Sequence, residues 1–566
     1  MKKSILLTLF FLFTFHVFTY AQVALRRQGT ATQLTINGKP MLILGGELSN
    51  SAATSVADID EVMPRMHKMG LNTVLVPAYW DLMEPEEGKF DFTLIDKVIT
   101  DARQNDLKVI FLWFGAWKNS MSCYAPLWFK QNTQKYPRAM TKSGKPLEIA
   151  SAFSENVFEA DNHAFKNLMQ HIAGIDKGFN TVIMIQVENE IGMLEDARDH
   201  SDAADKAFNT PVPQQLMTFL QKNEKQLHPQ MKAKFHNVKG GTWQRVFGDD
   251  IYTDEIFMAW NYAKYVERLA KAARSIYHIP LYVNAAMNSR GRKPGEYPSA
   301  GPLAHLKDIW HCGAPSIDFL APDIYDTGFE GWTKQYALPD NPLFIPESRC
   351  CNNSGVRALY AFGEHDAVGF SAFAIDQTDS VTTSYLTRSY KMLAELSPIL
   401  TSKQGKGQTY GLLFDNNNKE RVINDGDVSL TCRHYFTLPW DARAKDGSAW
   451  PEGGGIIVKI NKNEYLIAGS GIVVEFKTIT EKQQEEKKTL GEDGFIDAGN
   501  KMQQNNTSKT FKGQRIGIGY VDQVHIDENG KSLYVRRDNG DQDHQGRHAR
   551  ISVDDYKILH VTLYKY

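Results

Sequence analysis

Two distant stretches hold acidic side chains where bond-breaking chemistry needs them. Glu188, Asn189 and Glu190 end the apolar run NTVIMIQVENE (180–190), and Glu347 lies near the end of PLFIPES (342–348). Hydrolysis of a glycosidic bond requires a carboxyl pair: one acid protonates the leaving oxygen while the other attacks, or activates water, across the sugar ring. Tyr79, Trp80, Trp113 and Trp117 close neighbouring runs, and aromatic faces suit the apolar faces of a pyranose. A lone Glu at a strand end is more often an ion-pair partner. Here Asn precedes one acid and Pro the other, and both close strands of the same kind, which favours the chemical reading.

The elements that must position them are short apolar runs alternating with helical patterns, the pattern of a parallel sheet with crossover helices. Eight runs occur: 41–46, 72–80, 108–117, 180–190, 280–286, 317–325, 342–348 and 367–376. Between them Ile59, Val62, Met63 and Met66 follow helical spacing, as do Leu94, Ile95, Val98, Ile99 and Ala102. A further helix is predicted from Thr253, its N-cap, to Ile276. The pattern predicts a (β/α)8 TIM barrel enlarged by insertions. The alternative, an open doubly wound sheet, lacks its glycine-rich phosphate loop after the first strand. In a barrel the reacting groups stand at the carboxyl ends of the strands, which selects Glu47, Tyr79, Trp80, Glu84, Trp113, Trp117, Glu188, Asn189, Glu190, Asn284, Asp323, Tyr325, Glu347 and Asp376.

Around this core, Lys2 and Lys3 precede an apolar run from Ile5 to Phe18 and a small residue, Ala21. Residues 1–21 therefore read as a signal peptide, and the product as an exported protein, periplasmic or secreted. The run is too short to favour a membrane span, so no stable membrane insertion is expected after cleavage. The barrel is placed at 22–403, with an insertion at about 193–250 that either shapes the substrate site or forms a small core of its own. From 404 to 566 short alternating strands broken by Gly, Asn and Asp predict an all-β, sandwich-like domain. A formal net charge of −2 gives no electrostatic footprint for nucleic acid. The five cysteines, Cys123, Cys312, Cys350, Cys351 and Cys432, lack metal-ligand spacing, so no metal and no cofactor is expected. The adjacent Cys350 and Cys351 read as small core residues.

QVENEIG (186–192) closely resembles the acid/base motif of glycoside hydrolase family 35, β-galactosidases of the clan whose acid/base and nucleophile close strands four and seven. WDLMEPEEGKFDF (80–92) is similar to that family's segment after strand two, and PLFIPESRC (342–350) to its nucleophile strand. The resemblance implies a retaining, exo-acting enzyme on a carbohydrate substrate, with Glu190 as proton donor and later base, Glu347 as nucleophile, and Asn189 on the sugar 2-hydroxyl. Tyr79, Trp117, Asn119 and Tyr325 join Asn189 as substrate-binding candidates; Tyr325 could orient Glu347 or simply pack. Strand alternation turns Glu188 away from its neighbours, as a sugar-binding or a buried structural carboxylate.

The chain departs from the family-35 pattern in GELSNSAATS after strand one, in FGAWKNSMSCYAPLW after strand three, and at Pro77, where Tyr79 stands two positions on. WFGAWKNS together with a separate C-terminal β domain resembles the bacterial branch that includes galactosidases of plant cell-wall side chains such as those of xyloglucan. Two alternatives stay open: another clan member, such as a family 42-like galactosidase or an arabinosidase, and a non-catalytic glycan-binding protein that kept the barrel.

Overall fold

The computed structural model describes residues 23–484 and 511–566; the expected signal peptide lies outside the described residues. Eight parallel strands form one sheet: β1 (Ile43–Glu47), β2 (Thr73–Tyr79), β3 (Lys108–Phe114), β4 (Val182–Gln186), β5 (Leu281–Ala286), β6 (Phe319–Asp323), β7 (Phe344–Ile345) and β8 (Gly369–Phe373). Their order is β6-β5-β4-β3-β2-β1-β8-β7. A parallel bridge from Ile324 to Ser348 closes β6 onto β7, and the Ile324 N–H donates to the Glu347 carbonyl at 2.9 Å. Nearly every residue of these strands is buried on both faces, which is why they read as unbroken apolar runs. The protein is a (β/α)8 barrel followed by all-β strands.

The helical layer follows the sequence periodicity. Helix Val56–Lys68 buries Ile59, Val62, Met63 and Met66, and the Ser55 side chain caps it by accepting from the Asp58 N–H. Helix Thr93–Gln104 buries Ile95, Val98, Ile99 and Ala102. The long helix spans Ile251–Ile276 rather than starting at Thr253. Its cap is Asp250, whose carboxylate accepts from the N–H groups of both Tyr252 and Thr253; it satisfies two of the orphan donors of the first turn.

The segment between β4 and that helix folds as short helices, among them Asp202–Phe208, Gln214–Lys222, Pro229–Lys234 and Trp243–Phe247. It has no separate core. Trp243 and Phe247 belong to the main cluster, and Trp243 meets Phe257 edge-on at 5.2 Å. A three-stranded sheet (Val23–Gln28, Ala31–Ile36, Lys39–Met41) precedes the barrel and has no counterpart in the sequence reading. It is tied down where Gln33 donates to the Thr401 carbonyl at 2.7 Å.

After helix Ser380–Lys403, a six-stranded and a four-stranded sheet enclose a second core of residues such as Leu412, Leu430, Ile467, Val474 and Leu559. This unit is fused to the barrel through helix Ser354–His365. A Cβ on Gly411 would stand 2.6 Å from both the Glu364 nitrogen and the Tyr360 oxygen, so only glycine permits that approach of strand to helix. Arg357 adds a bidentate pair to Glu452 at 2.7 and 2.6 Å. The five cysteines are unpaired.

Candidate active site

The backbone leaves β4 irregularly. Glu188 and Glu190 take left-handed conformations, φ 61° and 44°, each a cost of roughly 1–3 kcal/mol for a residue other than glycine. The surroundings enforce them. The Glu190 N–H donates to Asn284 Oδ1 at 2.9 Å, the Trp117 N–H donates to Glu188 Oε2 at 2.8 Å, and the Ser120 N–H donates to the Glu190 carbonyl at 3.1 Å. In a regular strand Glu188 and Glu190, two positions apart, would share a face; the left-handed turns part them, so Glu188 does turn away as expected, but for a reason other than alternation. Glu190 enters the mouth of the barrel, whereas Glu188 turns towards Asp161 on helix Glu155–Asp176. Asp161 in turn accepts from Trp113 Nε1 at 2.9 Å and the Tyr265 hydroxyl at 2.7 Å. Burial, reinforced by the Asp161 charge, raises the Glu188 carboxyl well above the ordinary range. It forms part of the wall.

Glu347 occupies the centre and is 3% exposed. Its Oε1 accepts from Asn189 Nδ2 at 3.3 Å and Asn284 Nδ2 at 3.2 Å, and its Oε2 accepts from the Tyr325 hydroxyl at 2.6 Å. Opposite it, Glu190 Oε2 accepts from Asn119 Nδ2. Burial, and secondly the charge of Glu347, push the Glu190 carboxyl up to about 7. Carboxylate oxygens of Glu190, Glu347 and Asp323 lie within 4.8 Å of one another.

Two further buried acids complete the cluster. Burial and the Glu347 charge raise both Asp323 and Glu47 well above their ordinary values. Asp323 Oδ2 accepts from Asn284 Nδ2 at 2.7 Å; its Oδ1 and both oxygens of Glu47 meet no donor among the described residues, and in their protonated forms Glu47 is placed to donate to Glu347 and Asp323 to Glu190. Lys118, 2% exposed, donates to Asn189 Oδ1 at 2.9 Å and is the cation facing this acidic group.

Of the sequence candidates, Asn119, Asn189, Glu190, Tyr325 and Glu347 converge. Three do not. Glu188 is walled off, and Trp117 is fully buried with its ring edge-on to Tyr262 and Tyr265 at 5.5 and 4.8 Å. Tyr79 packs against Phe114 and Tyr124, and lines a small cavity with Pro77 of its own strand and Leu94 and Val98 of the helical layer. Glu47, Asp323 and Asn284 stood at strand ends without a sequence-derived role. Lys118 was missed altogether; its signal is a lone cation within the aromatic stretch WFGAWKNS.

The arrangement can carry out double displacement. Glu347, met by three donors, can attack an anomeric carbon from one side while Glu190 protonates the leaving oxygen from the other. Once Glu347 is esterified its charge is gone, Glu190 ionises more readily, and it can draw a proton from the incoming water. With their nearest oxygens within 4.8 Å of one another, the two carboxyls are a close pair of the kind this route uses.

Residues 52–239 match the model of glycoside hydrolase family 42, described as β-galactosidase, and residues 386–488 and 488–550 match a domain of unknown function, DUF5597. The family-35 reading of the motifs is thereby overturned: the model that matches this stretch is that of family 42. Members of one clan share an Asn-Glu after strand four and a Glu after strand seven, so these motifs mark the clan and not the family. Among curated proteins, the chain is 29% identical over 154 residues to β-galactosidase BbgII of Bifidobacterium bifidum, covering 26% of this chain and 21% of that one. It is 28% identical over 185 residues to a β-galactosidase of Xanthomonas manihotis, covering 31% of this chain and 27% of that one. The chain thus spans about a quarter of the length of the curated relatives it matches. Among solved structures it is similar to a family 42 β-galactosidase from G. stearothermophilus (17% identity, TM-score 0.45, 63% of this chain and 57% of that one). A second is the β-galactosidase of the haloarchaeon Halorubrum lacusprofundi (15% identity, TM-score 0.43, 62% and 58%).

Proposed function

We propose that the protein is a retaining β-galactosidase that removes terminal β-D-galactosyl units, with Glu190 as acid/base and Glu347 as nucleophile. The observation that carries the reading is the pair itself: carboxylate oxygens within 4.8 Å across the barrel mouth, one carboxyl raised to about 7 and the other met by three donors. Asn189, which bridges Lys118 and Glu347, is set to meet the sugar 2-hydroxyl, and Tyr325 fixes the nucleophile. The choice of galactose is supported by the family match over residues 52–239 and by the curated relatives. Lys2, Lys3 and the following apolar run support export.

A panel of nitrophenyl glycosides tests the sugar, and NMR of the first-formed product tests the stereochemistry. A strong preference for the β-galactoside with initial release of β-galactose is expected. Preference for another glycoside, or release of the α-anomer, defeats the proposal.

A further inference from the structure

Beside the catalytic mouth, but lined by none of its groups, lies a second cavity of about 440 Å³. Its walls come from helix Pro229–Lys234 of the long insertion, the start of helix Ile251–Ile276, the loop after β5 and helix Phe329–Tyr336 after β6. These are elements of the carboxyl-end face, where the loop that leaves Asn284 reaches Met287 and Asn288. The volume is that of one or two sugar rings, within the usual range for ligand pockets.

The chemistry of the lining is one-sided. Its one carboxylate, Glu255, is 1% exposed and already receives the Tyr297 hydroxyl at 2.5 Å, the Ala300 N–H at 3.2 Å and the His305 ring at 3.0 Å. Arg292 is exposed and makes no ion pair among the described residues; its guanidinium donates to the Glu296 carbonyl at 3.3 Å. A guanidinium carries five donors in a planar fork, so four remain for a planar anion. Lys234, which lies over the Tyr252 ring, is already paired with Asp250, so the unpaired charge of the lining is that of Arg292, and the half-exposed Trp332 indole supplies a flat apolar face. Burial holds the His228 imidazole down to about 4, so it faces the cavity as a neutral polar group.

We propose that this cavity is a second carbohydrate site that takes an anionic sugar unit, carboxylated or sulfated, with Arg292 gripping the anion and Trp332 stacking on the ring. The choice of a saccharide rests on the glycosidase reading; the choice of an anion rests on the lining alone. Such a site would hold an acidic branch of a glycan while a neutral galactosyl end is cleaved in the neighbouring pocket.

The test titrates the full chain with D-glucuronate, D-glucose 6-sulfate and D-glucose, followed by tryptophan fluorescence and saturation-transfer NMR. One or both anionic sugars should bind at least about tenfold more tightly than D-glucose, the more tightly bound of the two naming the anion. Arg292→Ala should weaken that binding about tenfold or more, the scale of a charge-assisted bidentate contact. Trp332→Ala should weaken all three sugars, and both variants should keep kcat/KM for nitrophenyl β-galactoside within about twofold. Equal binding of D-glucose and the anionic sugars, undiminished binding in Arg292→Ala, or displacement by free galactose overturns the proposal. Binding is read without turnover. A chain that binds the anionic sugar yet cleaves no glycoside defeats only the catalytic reading, and one that cleaves but does not bind defeats only this one.

Discussion

Replacing Glu190 by alanine separates proton donation from every other function of the site. A Glu at its ordinary value of 4.5 would be protonated in only about one molecule in 300 at pH 7, whereas at about 7 half the molecules carry the proton. Burial and the Glu347 charge therefore raise the acid form more than about 100-fold, worth roughly 3 kcal/mol of differential interaction. Glu190→Ala should lower kcat/KM about 10²- to 10⁴-fold on methyl β-galactoside or a disaccharide, whose leaving groups need protonation. On 2,4-dinitrophenyl β-galactoside, whose leaving group departs unaided, the loss in the first step should stay under about tenfold. The sign of the pH dependence follows from the same group: a required acid is fully active below about pH 7 and loses activity as pH rises through that value. Steady-state kinetics between pH 4 and 10 on both substrates provide the assay. Equal losses on the two substrates, or a basic limb near 7 that survives in the variant, would refute the assignment.

Glu347→Gly with added azide should release α-galactosyl azide, because a small anion then attacks from the vacated side; a β-configured azide would reverse the two roles. Tyr325→Phe deletes the 2.6 Å hydrogen bond to Glu347 and should cost about 1.5–3 kcal/mol of transition-state stabilisation, roughly 10- to 150-fold in kcat, with unchanged circular dichroism. Glu47→Gln tests the buried acids through stability. A carboxyl raised by folding contributes stability that is complete below its ordinary value of 4.5 and is lost as pH rises through its elevated folded value, so the variant's Tm relative to wild type should climb from pH 5 to pH 9. Gly411→Val places side-chain carbon where only 2.6 Å separates the Cβ position from the helix Ser354–His365 backbone; it should lower unfolding stability by about 1–3 kcal/mol or more, read by calorimetry.

Much of the barrel was legible because its eight strands are buried on both faces and must be apolar throughout, and because Glu190 and Glu347 are charged groups at the ends of such runs. Helix faces with Ile59, Met63 and Met66 were fixed by the 3.6-residue period for the same reason: burial leaves a pattern in neighbouring residues. The three-stranded sheet at Val23–Met41 was not read, since its strands are short and partly exposed. The family-35 reading was overturned by the family 42 match over residues 52–239, because short motifs at strand ends do not separate related families. Tertiary structure alone decided the rest. Glu188 does turn away from Glu190, but because of left-handed φ at both residues; regular two-residue alternation would have put the two on one face. Closure of β6 onto β7 brings Asp323 to Glu347 and β1 carries in Glu47, while Trp117 and Tyr79 vanish into packing. Local sequence records what is buried; which buried groups face one another depends on contacts between residues hundreds of positions apart, and only the closed barrel supplies them.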